Sequence, residues 1–120
     1  LYDESAESIE AILRLAGESP LACIVTCRPA YEGGHFQGHD DARVTLIEAL
    51  CAAESPPRYV DFEYLAYSRS PEIRARIDAA LAGNPEVGLI LSAHDFEGRP
   101  ANLNALIAGM RSVEPARVVK

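Results

Sequence analysis

His94 and Lys120 are the residues from which chemistry could start. His94 stands at the far end of the apolar run Leu89-Ile90-Leu91-Ser92-Ala93, and Lys120 ends a second run, Ala116-Arg117-Val118-Val119, about one strand-helix unit later. Gly98 and Pro100 turn the chain between them into a helical pattern. At the ends of successive parallel strands the two would stand side by side. That is the geometry of a proton shuttle next to an amine nucleophile.

Side chains alternate across a strand, so parity decides which residues look the same way. One consistent choice collects Thr26, Arg28, Asp61, Glu63, Ser92, His94 and Lys120 on one side of a sheet. Ionised groups are rarely buried unless they are paired or working. Two carboxylates, a guanidinium, an imidazole and an amine could neutralise one another in a concave site at the carboxyl ends of the strands. Each residue also has a plainer reading. Lys120 could be a solvated loop residue and His94 a satisfied structural histidine, while Asp61 and Glu63 are better read as partners of cations across the sheet. His35 and His39 resemble a metal pair by spacing, but their loop offers no evident third ligand, so no metal is expected.

The elements that must position these groups follow from periodicity. Asp3 and Ser5 offer caps for a helix over residues 5–16, and an apolar strand over 21–27 ends at Arg28. Residues 29–39 are rich in glycine and polar groups and read as a long loop. A helix over 40–53, with Val44, Ile47, Leu50 and Cys51 on one side, is broken by Pro56 and Pro57. Residues 59–65 read as the second strand. Ser70-Pro71 then starts a helix that presents Ile73, Ile77 and Leu81 and stops at Gly83, Asn84 and Pro85. Residues 87–93 form the third strand, Leu103, Leu106, Ile107 and Met110 mark the next helix, and 116–120 form the fourth strand. Helix and strand alternate four times with short connections, which predicts an α/β fold with right-handed crossovers and a parallel sheet. Four such units make half of an eight-fold barrel or a small open sheet. There is no glycine-rich phosphate fingerprint after any strand, so a dinucleotide finds no support.

With 120 residues the chain is one domain or less, below the ~200 to 250 residues of a closed α/β barrel. It begins at Leu1 rather than methionine, and we expect a piece of something larger. The net charge of −7, with no basic run, argues against a nucleic-acid partner. No apolar stretch approaches the ~18 residues of a membrane span, so we expect a soluble protein with no membrane partner. Cys23, Cys27 and Cys51 are odd in number and lie inside apolar segments, as small hydrophobes in a reducing compartment do.

Three stretches resemble type I 3-dehydroquinate dehydratase, the Schiff-base dehydroquinase of the shikimate pathway. Thr26-Cys27-Arg28 followed by Glu32-Gly33-Gly34-His35-Phe36-Gln37-Gly38 looks like that family's strand-end arginine and its Glu-Gly-Gly loop. Tyr59-Val60-Asp61-Phe62-Glu63 looks like its next strand. Ser92-Ala93-His94-Asp95-Phe96, with Pro100 following, looks like its Ser-x-His-Asp-Phe segment, the most specific of the three. Lys120 falls where the family's imine-forming lysine is expected.

The resemblance implies a (β/α)8 TIM barrel of which residues 1–120 form about half, as a single partial domain. It implies a cytoplasmic lyase acting on 3-dehydroquinate without metal or cofactor, commonly as a homodimer. In that reading Lys120 forms the iminium, His94 is the acid and base, Glu32 orients His94, and Arg28 binds substrate, with Asp61, Glu63 and Ser92 in support. The family's earlier Glu-x-Arg pair and its later arginine and serine/glutamine lid have no counterpart in this chain, although Leu1-Tyr2-Asp3 could be the tail of that earlier strand. Two other readings stay open: a different lysine-imine barrel, such as a class I aldolase, and a non-catalytic remnant that serves as a folding or dimerisation unit.

Overall fold

The structure is a computed structural model that describes residues 5–120. Asp3 as a cap, and Leu1-Tyr2-Asp3 as a strand tail, lie outside the described residues. Helix α1 (Ala6–Glu18) starts at Ser5, whose hydroxyl accepts the Ser8 amide. Strand β1 (Ile24–Thr26) leads through a short 3-10 helix, Ala30–Glu32, into α2 (Asp40–Ala52). Strand β2 (Tyr59–Glu63) is followed directly by α3 (Tyr64–Arg69) and then α4 (Pro71–Gly83). Strand β3 (Gly88–Ser92), α5 (Leu103–Arg111) and β4 (Ala116–Val119) complete the chain.

The strands pair in parallel in the order β1-β2-β3-β4. A sheet wound in sequence order is the wall of a barrel; a doubly wound sheet would reverse its order. Val60, Phe62, Leu89 and Leu91 point into one core with Val44, Leu46, Ile47 and Leu50 of α2 and Ile73, Ile77 and Leu81 of α4. The opposite parity carries the polar residues. On that face the centre is buried and the edges are open: Ile90 is 5% exposed, whereas Ile24 is 58% and Val118 39%.

Three strand boundaries differ from expectation. The strand over 21–27 shortens to Ile24–Thr26, at the open edge of the sheet, where Leu21 is 77% exposed. Residues 59–65 were to be strand, yet the chain turns helical at Tyr64, because Ala66 and Tyr67 bury one turn of α3 and the Tyr67 hydroxyl donates to Asp78 at 2.6 Å. The strand over 87–93 keeps its place as Gly88–Ser92, and its hydrogen bonding to the last strand continues past Ser92. The Lys120 amide donates to the Leu91 carbonyl at 2.9 Å and the Ala93 amide to the Lys120 carbonyl at 3.0 Å, which fixes Lys120 beside the end of β3.

Candidate active site

Asp61, in the middle of β2, gathers the first group of polar side chains. It is 5% exposed and accepts from Ser92 Oγ at 2.6 Å, Thr26 Oγ1 at 3.4 Å and Lys120 Nζ at 3.2 Å. Residues from β1 and β3 and the lysine just past β4 therefore converge on one carboxylate of β2. Lys120 keeps half of its side chain in solvent, so its amine is held at one end and accessible at the other.

The second group sits at the strand ends. Glu32, 7% exposed in the 3-10 helix, accepts from both the backbone amide and the ring Nδ1 of His94 through its Oε2, each at 3.0 Å. A carboxylate acceptor requires the proton on Nδ1, which leaves the lone pair of the neutral ring on Nε2. That Nε2 is shielded from solvent and has no hydrogen-bond partner among the described residues. An unpartnered ring nitrogen held in one tautomer is the arrangement a general base needs.

Local geometry explains why Glu32 reaches His94. Gly33 takes a left-handed conformation at φ 77°, and its amide bonds to the Ala30 carbonyl to close the turn. The Phe96 ring lies against Gly33 where a Cβ would project, and Gly34 lies equally close to the Arg28 backbone. Gly33 is required by its backbone conformation and Gly34 by space, and they bring the Glu32 loop and the His94 loop together. Arg28, partly buried at the end of β1, has an Nε shielded from solvent with no partner among the described residues. It lines a groove of about 670 Å³ along the open edge of β1, with Thr26, Gly33, Gly34 and His35.

The sequence reading passed over Arg43. It lies on α2 beside the apolar positions Val44 and Ile47, yet it is 1% exposed. Its guanidinium pairs with Glu63, bonds to Asp40 at 2.7 Å, and rests on the Phe62 ring at 4.4 Å. The available signal was a charged residue on a helix face that otherwise faces the core. Tyr31, which accepts from Arg43 at 3.2 Å, has its phenol pushed up by burial; Arg43 opposes that rise and Asp40 adds to it.

Glu32, Glu63 and His94 each offer one ligand atom, and these lie within 4.8 Å of one another. The Glu63 carboxylate is already matched by Arg43, so a metal ion there would compete with a guanidinium. His35 and His39 are exposed. The two carboxylates placed on this face by parity both meet cations, Asp61 meeting Lys120 and Glu63 meeting Arg43.

A family model described as type I 3-dehydroquinase matches residues 2–120. A 3-dehydroquinate dehydratase of Thermococcus gammatolerans is 37% identical over 119 residues, covering 96% of this chain and 52% of that protein. One from Streptococcus gordonii is 35% identical over 95 residues, 79% of this chain and 38% of its own length. The crystal structure of 3-dehydroquinate dehydratase from Geobacillus kaustophilus aligns with a TM-score of 0.64 at 27% identity, over 94% of this chain and 42% of that one. The chain thus spans between about two-fifths and half of the length of the relatives it matches.

Proposed function

This chain belongs to the type I 3-dehydroquinase family, and from that premise we propose that it carries the imine-forming and acid-base residues of a 3-dehydroquinate dehydratase of the shikimate pathway. Lys120 Nζ attacks the ring ketone of 3-dehydroquinate and, with loss of water, forms an iminium. The cationic nitrogen is an electron sink, so the adjacent C–H becomes acidic. His94 Nε2 removes that proton and then returns a proton to the departing hydroxyl. Hydrolysis of the imine releases 3-dehydroshikimate and the free lysine.

The observation that carries this reading is the Glu32–His94 contact at 3.0 Å on the same face as the half-exposed amine of Lys120. Glu32 fixes the tautomer and orientation of the base, and it stabilises the imidazolium that forms after proton removal. Asp61, held by Ser92 and Thr26, points the lysine across the face. The unpartnered guanidinium nitrogen of Arg28 suits a substrate carboxylate or hydroxyl. We place the enzyme in the cytoplasm as a homodimer acting on a small molecule; among the described residues no helix is long and apolar enough to cross a membrane.

Borohydride trapping of the full-length polypeptide with 3-dehydroquinate, followed by peptide mass mapping, tests the reading. A stable adduct on Lys120, lost in Lys120→Ala, is expected, while His94→Ala should still trap but turn over slowly. A full-length protein that forms no adduct would overturn it, and an adduct on a different lysine would move the nucleophile elsewhere.

A further inference from the structure

Arg43 is a charged group beside the proposed site to which the dehydration gives no task. Its four named polar partners come from four places: the Cys27 carbonyl just past β1 (Nε, 2.9 Å), the Tyr31 hydroxyl (Nη1, 3.2 Å), Asp40 at the start of α2 (Nη1, 2.7 Å) and Glu63 at the end of β2 (Nη2). Cys27 adjoins Arg28, and Tyr31 adjoins Glu32. The guanidinium also lies on the Phe62 ring, so it crosses from the helix layer to the strand end.

The consequence concerns His94. Ligand atoms of Glu32, Glu63 and the His94 ring lie within 4.8 Å of one another. Two buried carboxylates this near one imidazole are rival partners for the ring. Glu32 takes both the ring and the backbone donor of His94, while Glu63 turns to Arg43. We propose that Arg43 makes this choice: by clamping Glu63 and cancelling its charge, it leaves Glu32 as the carboxylate that works with His94. Arg43 is thereby a positioning residue for the acid-base group. Its bearing on catalysis rests on the dehydration proposed above, whereas its effect on His94 does not.

A pin that only secured the loop would alter stability and leave His94 alone. A charge clamp gives a pattern with opposite signs. Arg43→Met uncovers the Glu63 carboxylate and should move the His94 titration midpoint, read from ring ¹⁵N NMR of the full-length protein, up by about one unit. Glu63→Gln removes a carboxylate near the ring and leaves the guanidinium paired with Asp40, and should move it down by a comparable amount. The double variant removes both charges and should return it to within about 0.3 unit of the parent. The other charged groups set on this face by the packed elements are Glu32, Asp61, Arg28 and Lys120, the same in every variant; Asp40 and Tyr31, the remaining side-chain partners of Arg43, lose the guanidinium in Arg43→Met and in the double variant alike. Arg43→Met should also lower kcat at least about tenfold at neutral pH with KM changed less than about twofold, and the double variant should recover most of that loss.

Coincident His94 curves in Arg43→Met, Glu63→Gln and the parent would overturn the inference, as would a double variant that stays shifted. Should Arg43→Met fail to fold, Glu63→Gln alone decides, because a pin predicts no downward shift. Failure of the dehydratase reading looks different: the unmodified protein would neither trap nor turn over substrate, and the His94 titration would still decide on the clamp.

Discussion

Gly33→Ala and Gly34→Ala should harm the protein to different degrees, because the two added methyl groups meet different obstacles. At Gly33 the backbone sits at φ 77°, where a side chain costs about 1–2 kcal/mol. The new Cβ would also overlap the Phe96 ring, but that ring is 72% exposed and free to swing outward. The steric part is therefore relieved cheaply, and the expected loss is the backbone strain alone. At Gly34 the Cβ would overlap the carbonyl and Cβ of Arg28. That obstacle is largely main chain, so the loop itself has to move, and the cost should reach about 3 kcal/mol, the upper part of the overpacking range. Urea unfolding of the full-length variants measures both. Gly33→Ala combined with Phe96→Ala should remain about 1–2 kcal/mol less stable than Phe96→Ala alone, since the strain persists without the ring. Turnover should follow the same order, because moving the Arg28–Gly34 contact displaces both Arg28 and the Glu32 loop. A Gly34→Ala protein as stable and active as Gly33→Ala would refute the close-approach argument; a fully stable Gly33→Ala would refute the argument from strain.

Two further predictions concern the scaffold. Burial pushes the Cys51 thiol from 9.0 up to about 11, so the fold favours its neutral form; the stabilisation is complete below pH ~9 and is lost as pH rises toward ~11, at up to about 1 kcal/mol per pH unit. Cys51→Val should flatten that part of the stability–pH curve, and an unchanged slope would count against burial as its cause. Ser70 caps α4 by accepting the Ile73 amide at 3.2 Å, with Pro71 in the first turn. Ser70→Ala should lose about 1 kcal/mol in urea unfolding and Ser70→Asp very little, whereas equal losses would remove the hydroxyl as the explanation.

What the sequence disclosed and what it withheld divide along a physical line. Period-2 and period-3.6 patterns report which residues face the core, and so the order of helices and strands, the parallel sheet and its polar face were legible. Parity alone was enough to place Thr26, Asp61, Ser92 and Lys120 on one face, where they now meet. It could not reveal α3, since Tyr64 to Arg69 is too short for a periodic signal and is set by Tyr67 reaching Asp78 across 11 positions in sequence. Nor could it reveal that Glu32, in a loop without periodicity, meets His94 62 residues away. The Glu-Gly-Gly stretch marked Glu32 only through family resemblance; the reason lies in the left-handed turn at Gly33 and in the close approach of Gly34 to the Arg28 backbone. Arg43 was hidden for the opposite reason. A pattern reading sorts helix positions into apolar-in and charged-out, so a charge that points inward is assigned to solvent by default. Its burial becomes intelligible only once Glu63 ends β2 beneath it, because a buried guanidinium persists where a buried carboxylate and a full set of acceptors already wait. A charged residue inside an otherwise apolar helix face is therefore the place where a sequence of this kind conceals a buried ion pair.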